Sequence, residues 1–161
     1  MKLKDYFSVL KDIELFKNFT EEDFRKLFKN VDYRISNYSK NSMVFIEGRE
    51  FNPLNIILSG NIRIQKIDSF GNSLVVVDFK EGDIYGETLL FGKLNIYPMT
   101  GISTMDTTIL YIPKDTVLYL CKNDDIFLSE FLSLLSEKSV TLSSKINQIG
   151  LKTIRQKICE F

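Results

Sequence analysis

The chain has 161 residues, 44% of them hydrophobic, enough for one domain with a buried core. Lys plus Arg number 21 and Asp plus Glu 21, so the basic footprint that supplies most affinity for nucleic acid is missing and this chain is not expected to grip DNA itself. Histidine is absent, which removes cupin-type metalloenzymes, zinc hydrolases, Ser-His-Asp hydrolases and histidine-ligated haem sensors. Cys121 and Cys159 are too few for a disulfide framework or a metal centre and read as inert thiols. No apolar run approaches the roughly 20 residues of a membrane span, and the N-terminus lacks a signal core, so a cytoplasmic protein without a membrane partner is expected.

Along the chain, Tyr6, Phe7 and Leu10 fall at helical spacing, followed by a non-periodic link from Ile13 to Phe16. Thr20 then offers an N-cap hydroxyl ahead of Glu21, Glu22 and Asp23, and Phe24, Leu27, Phe28 and Val31 form an i, i+3, i+4, i+7 stripe, predicting a helix over 20–31. From 33 to 114 the pattern becomes short apolar runs broken by turn residues, as in an all-β barrel or sandwich. Strands are expected at 33–38, 43–46, 54–59, 61–68, 73–79, 100–103 and 107–112, with a hairpin at 68–72. Ile62 and Ile64 alternate with charged residues, giving a strand with one wet face. Leu74 to Val77 do not alternate and are expected to be buried on both sides, with one face lining a cavity.

The stretch 81–100 organises the rest: a strand, a tight turn and a brief helix start. Gly86 suits a sharp turn or a close approach to a ligand, and the N–H groups of Glu87, Thr88 and Leu89 are expected to be unpaired there, favouring an anion or a polar oxygen. A short helix begins at Lys114 and runs through Leu120. A longer one, capped around 123–125, carries Leu128, Leu132, Leu135, Ser139, Leu142, Ile146 and Ile149 at alternating four- and three-residue spacing. That heptad seam predicts a homodimer. Gly150 is expected to loosen or break the helix, and the chain stops inside a segment still patterned as helix, which reads as a cut chain. No acid–base partner stands at defined spacing from Glu87 and no metal-ligand cluster exists, so neither catalytic nor metal-binding residues are assigned.

Helix, eight-stranded β-roll, glycine-containing corner, short helix and long amphipathic helix in this order resemble the effector domain of the cAMP receptor protein and FNR family of bacterial transcription regulators. The resemblance covers nearly the whole chain and rests on Leu15-Phe-Lys-Asn-Phe19, Gly48, Ile57-Leu-Ser-Gly60, Glu81-Gly-Asp83, Tyr85-Gly-Glu87, Leu90-Phe91 and Tyr111-Ile-Pro-Lys114. It implies a mainly β fold with flanking helices: a double-stranded β-helix, or jelly roll, over 1–123 with N-terminal helices. Over 124–161 it implies a long dimerisation helix and the start of a linker to a helix-turn-helix domain absent from this chain. DNA binding would come only through that domain. A stand-alone ligand-binding module of the same fold is the alternative.

In members that bind cyclic nucleotides, the corner acid accepts from the ribose hydroxyl and an arginine ten residues later pairs with the cyclic phosphate. Here those positions are Glu87 and Tyr97, and Tyr97 is followed by Pro98 and Met99. A buried phosphate needs a cation or several charge-assisted bonds, whereas tyrosine offers one neutral donor. Lys93, on a polar loop, is expected to stay solvated. Weak or no cAMP binding follows. The implied effector is a small organic molecule, an aromatic or other small anion, held by Val75, Val77, Ile84, Gly86, Glu87, Thr88, Tyr97, Met99 and Thr100 with the long helix at Thr141, Leu142 and Ser143.

Overall fold

A computed structural model describes residues 3–68, 71 and 73–159, with side chains described through Ser144. Eight antiparallel strands form two four-stranded sheets, one ordered β1 (Arg34–Tyr38), β8 (Thr107–Pro113), β3 (Pro53–Ser59), β6 (Ile84–Tyr85). The other is ordered β2 (Met43–Phe45), β7 (Thr100–Ser103), β4 (Asn61–Ile67), β5 (Ser73–Lys80). Seven strands fall within a residue or so of their expected positions, and the eighth, β6, comes from the strand foreseen at the start of 81–100. The hairpin is present: β4 and β5 pair down to Ile67 opposite Ser73, and the Gly71 N–H donates to Asp68 O at 3.1 Å.

Alternation along β3 and β8 divides the interior in two. Leu54, Ile56, Leu58, Leu110 and Ile112 point to the helical side, while Ile57, Ile109 and Tyr111 point between the sheets, where Ile62, Ile64 and Tyr85 meet them. The first sheet is thus covered on both faces, and β4 shows the wet-faced alternation expected, with Arg63 exposed and paired to Asp78 Oδ1 at 2.9 Å.

The N-terminal segment is a 3-10 turn (Leu3–Tyr6), a short helix α1 (Phe7–Leu10), a 3-10 turn (Glu14–Phe16) and α2 (Glu21–Leu27). Thr20 and Asp23 form a reciprocal capping box, and α2 ends at Leu27 with Phe28 as its C-cap, short of the expected 31. The presumed link is the centre of the helical core: Leu15 and Phe16 are fully buried, and Phe16 meets Phe19, Phe24, Phe28 and Phe127 at ring separations of 5.3 to 6.2 Å.

Helix α3 (Lys114–Asn123) runs three residues beyond Leu120, and Asp124 breaks the chain, its Oδ1 accepting from the Phe127 N–H at 2.8 Å to start α4 (Asp125–Cys159). Helix α4 is one element of 35 residues, about 52 Å long. It continues through Gly150, contrary to expectation, because one interior glycine costs only about 1 kcal/mol against its neighbours' helical bonds. Phe127, Phe131 and Leu134 bury α4 against the domain.

The expected burial of Leu74 to Val77 on both sides is overturned, although Val77 does line a cavity. β5 is the edge of its sheet and Leu74 is 69% exposed, with Val75, Val76 and Val77 exposed as well. No element covers either face of β5 enough to bury the run among the described residues.

A candidate effector cavity at the Gly86 corner

Three backbone closures build the corner. The Gly82 N–H donates to Ile57 O at 2.9 Å, β6 pairs Ile84 with Ile56 and Tyr85 with Asn55, and Leu89 and Leu90 both donate to Gly86 O at 3.0 Å. Residues 87–91 therefore form hydrogen-bonded turns rather than a regular helix. The Leu89 N–H, expected to be unpaired, is used by this turn. Gly86 has φ +88°, and a Cβ there would stand 2.2 Å from Phe51 Cζ. Both the sharp turn and the packing of Phe51 require glycine.

The loop from 92 to 99 is zipped to the loop after β2. Tyr97 exchanges backbone bonds with Gly48 and Arg49 at 2.8 and 2.9 Å, and the Phe51 N–H donates to Asn95 O at 2.7 Å. This turns Tyr97 inward, stacked on Phe45 at 4.2 Å and edge-on to Phe51 at 5.0 Å. Tyr85 lies 5.6 Å from Phe45 and 5.5 Å from Phe79. Burial pushes the Tyr97 phenol up to about 12 and the Tyr85 phenol well above its ordinary range, so both stay neutral at physiological pH.

A cavity of about 220 Å³ opens between these rings and the corner. Of the residues expected to hold an effector, Val77, Gly86, Glu87, Thr88, Tyr97 and Met99 line it. Val75 and Ile84 do not: Val75 is exposed on the edge strand, and Ile84 points into the helical core. Thr100 is buried but its Oγ1 accepts from the Glu47 N–H at 3.2 Å. Thr141, Leu142 and Ser143 are exposed on α4 and do not line the cavity. Lys93 is exposed and does not line it either. Phe45, Phe51, Ile64, Phe79, Tyr85, Leu89 and Pro98 complete the wall. Sequence reasoning missed them; the alternation of β4 and the aromatic content of β2 and β5 were the available signals.

Glu87 is 5% exposed. Its Oε1 faces Lys138 Nζ at 3.4 Å, and Lys138 also donates to Ile84 O at 3.4 Å, so α4 makes a polar contact with the corner through this side chain. Glu87 Oε2 is buried without a hydrogen-bond partner among the described residues. Beyond Lys138, α4 leaves the domain: Ser139 through Ser144 are exposed. Leu128 and Leu135 of the expected seam are half-buried, Leu132, Ser139 and Leu142 are exposed, and Ile146 and Ile149 lie outside the described side chains. The hydroxyls of Ser139, Ser143 and Ser144 donate to carbonyls one turn earlier, at 3.0 Å each, leaving them no demand for an outside partner.

Among the described residues, no group of His, Cys, Asp and Glu side chains forms a metal-binding cluster, and no helix is long and apolar enough to cross a membrane. Burial raises the pKa of the Cys121 thiol, which favours its inert form.

The sequence model of the cyclic nucleotide-binding domain matches residues 35–124. The HTH-type transcriptional regulator ArcR of Staphylococcus haemolyticus is 26% identical over 132 residues, 78% of this chain and 57% of that protein. The chain thus spans a little over half the length of the curated relatives it matches. In fold it is similar to the sensor domain of the transcriptional regulator DNR from Pseudomonas aeruginosa, with a TM-score of 0.72 at 18% identity over 91% of this chain and 95% of the other. The catabolite activator protein of Thermus thermophilus superposes with a TM-score of 0.71 at 17% identity, over 85% of this chain and 63% of that one.

Proposed function

The chain belongs to the cyclic nucleotide-binding domain family, and from that premise we propose that it is the effector-sensing and dimerisation part of a bacterial transcription regulator. Its DNA-binding domain would lie outside these 161 residues. The observation behind this reading is the contact between cavity and helix: Glu87 lines the cavity and faces Lys138 of α4 at 3.4 Å. An occupant that engages Glu87 competes with Lys138 and acts directly on α4. It can shift an equilibrium of that helix only by its differential affinity for the two states. The relatives' names, and the length by which they exceed this chain, support the regulator reading.

The effector is a small organic molecule rather than a cyclic nucleotide. Among the lining residues no arginine or lysine is present to replace the hydration a phosphate would lose, and Tyr97, at the position where the resemblance implies an arginine, is stacked on Phe45. Dimerisation runs along Leu128, Leu132, Leu135, Ser139, Leu142, Ile146 and Ile149. On an ideal helix this seam is centred roughly 85° around from the domain-facing Phe127, Phe131 and Leu134, so one helix can serve both contacts. The protein works in the cytoplasm, without chemistry of its own.

Two measurements test this. A thermal-shift screen of the chain against small organic compounds should yield a stabilising effector whose effect Glu87→Ala abolishes. Reading the gene beyond the codon for Phe161 should reveal a basic helix-turn-helix. A gene that ends there would favour a stand-alone ligand-binding module, and turnover of the effector would make the protein an enzyme.

A further inference from the structure

We propose that the cavity takes a small organic cation, an ammonium carried on an aromatic or alkyl body, and that Glu87 is its counter-ion. This rests on reading the cavity as the effector site and goes further by assigning the charge of what enters. Glu87 is the one ionisable acid or base of ordinary pH among the lining residues, all the others being apolar, aromatic, glycine or threonine. The anion expected from the sequence would meet a carboxylate of like charge at short range in a desolvated site, where Coulomb repulsion is least screened.

The carboxylate is also incomplete. Oε2 is buried and has no donor among the described residues, and leaving such an acceptor unmade costs free energy that a ligand donor recovers. Lys138 does not supply that donor. It faces the other oxygen, shares itself with Ile84 O, and its side chain is 40% exposed, so its ammonium remains partly hydrated.

The remaining wall suits the same ligand. Phe45, Phe51, Phe79, Tyr85 and Tyr97 form a chain of rings with successive separations of 4.2 to 5.6 Å. Ring faces carry partial negative charge and attract ammonium groups most when water is excluded. An aromatic wall beside a single half-satisfied carboxylate makes a site complementary to positive charge carried on an apolar body. A volume near 220 Å³ has room for one ring or a short alkyl chain.

The test is calorimetric titration of the 161-residue chain with phenethylamine, 2-phenylethanol and phenylacetate, which place a cationic, a neutral and an anionic head on similar bodies. The amine should bind at least about tenfold tighter than the carboxylate, with the alcohol between them. Glu87→Gln keeps the shape of the side chain and should bring the amine's affinity down to the alcohol's while leaving the alcohol unchanged. Lys138→Met, on the solvent side, removes the competing cation and should tighten the amine. An equal or reversed order, an amine indifferent to Glu87→Gln, or no response to the amine overturns the cation assignment. Tight phenylacetate binding would do so while keeping the cavity an effector site. If the wider compound screen is also empty, the effector reading falls with it.

Discussion

Gly86 is held by two constraints, a φ of +88° and the ring of Phe51 in the place of any Cβ. Gly86→Ala should therefore cost about 1–2 kcal/mol for the left-handed backbone and a further ~1–3 kcal/mol for overpacking; urea denaturation reads the sum. An effect below about half a kcal/mol, the range of ordinary surface substitutions, would mean Phe51 moves freely. Tyr97 is constrained by burial, which lifts its phenol to about 12 from an unfolded value near 10. Between those values the unfolded chain has released a proton that the folded chain keeps, so stability is complete below pH ~10 and declines as pH rises towards ~12. Tyr97→Phe should flatten part of that decline in denaturation measured across alkaline pH; the buried phenols of Tyr85 and Tyr111 supply the rest. Gly86 and Glu87 were legible because a turn glycine and the acid beside it are local signals, whereas Tyr97 stood out only through the family resemblance. Phe45, Phe51 and Phe79 were not, since their convergence depends on β2, the loop before β3 and β5 meeting across the fold. Thr100 was misplaced for a similar reason: its hydroxyl is used by the Glu47 N–H from another loop.

Among the elements, those with their own start signals were the most readable. Thr20 caps α2 through a bond from the Asp23 N–H at 3.2 Å, and Asp124 starts α4. Thr20→Ala should lower stability by about 1 kcal/mol, seen as a lower denaturation midpoint with an unchanged slope. Helix α4 docks through Phe127, Phe131 and Leu134, and Phe131 also meets Phe91 edge-on at 6.1 Å. Phe131→Ala should cost ~3–5 kcal/mol by opening a cavity between α4 and the corner, and it should be larger than the loss from Leu132→Ala, whose side chain is exposed. The strand β5 shows the limit of reading elements singly. An unbroken run of Leu and Val resembles a strand covered on both faces, yet its position at a sheet edge leaves it exposed. Sheet position is set by pairing partners, which the run itself does not encode.

At the scale of the molecule, helices, a doubly covered sheet and a second sheet stack in three layers, and the cavity sits between the corner, the second sheet and the loops that carry Phe51 and Tyr97, with α4 reaching it only indirectly through Lys138 on Glu87. The β-roll with a trailing helix was legible from turn spacing and heptads together. Which apolar residues of α4 dock on the domain was not, because docking and heptad positions draw on one helix and only the packed structure shows that Phe127, Phe131 and Leu134 are the buried ones. Leu142 is 61% exposed, and Leu142→Glu should convert a dimer to a monomer by light scattering without lowering the stability of the β-roll; an unchanged dimer would move the interface off this seam. The cavity at the Gly86 corner has no arginine or lysine in its lining, which is the basis for the proposal that it does not take a cyclic phosphate. Calorimetric titration of the chain with cAMP should give no binding at micromolar concentration, with Tyr97 at the position where the resemblance implies an arginine. Micromolar affinity would contradict the account, showing that another group compensates for Tyr97 and that the cavity is a nucleotide site.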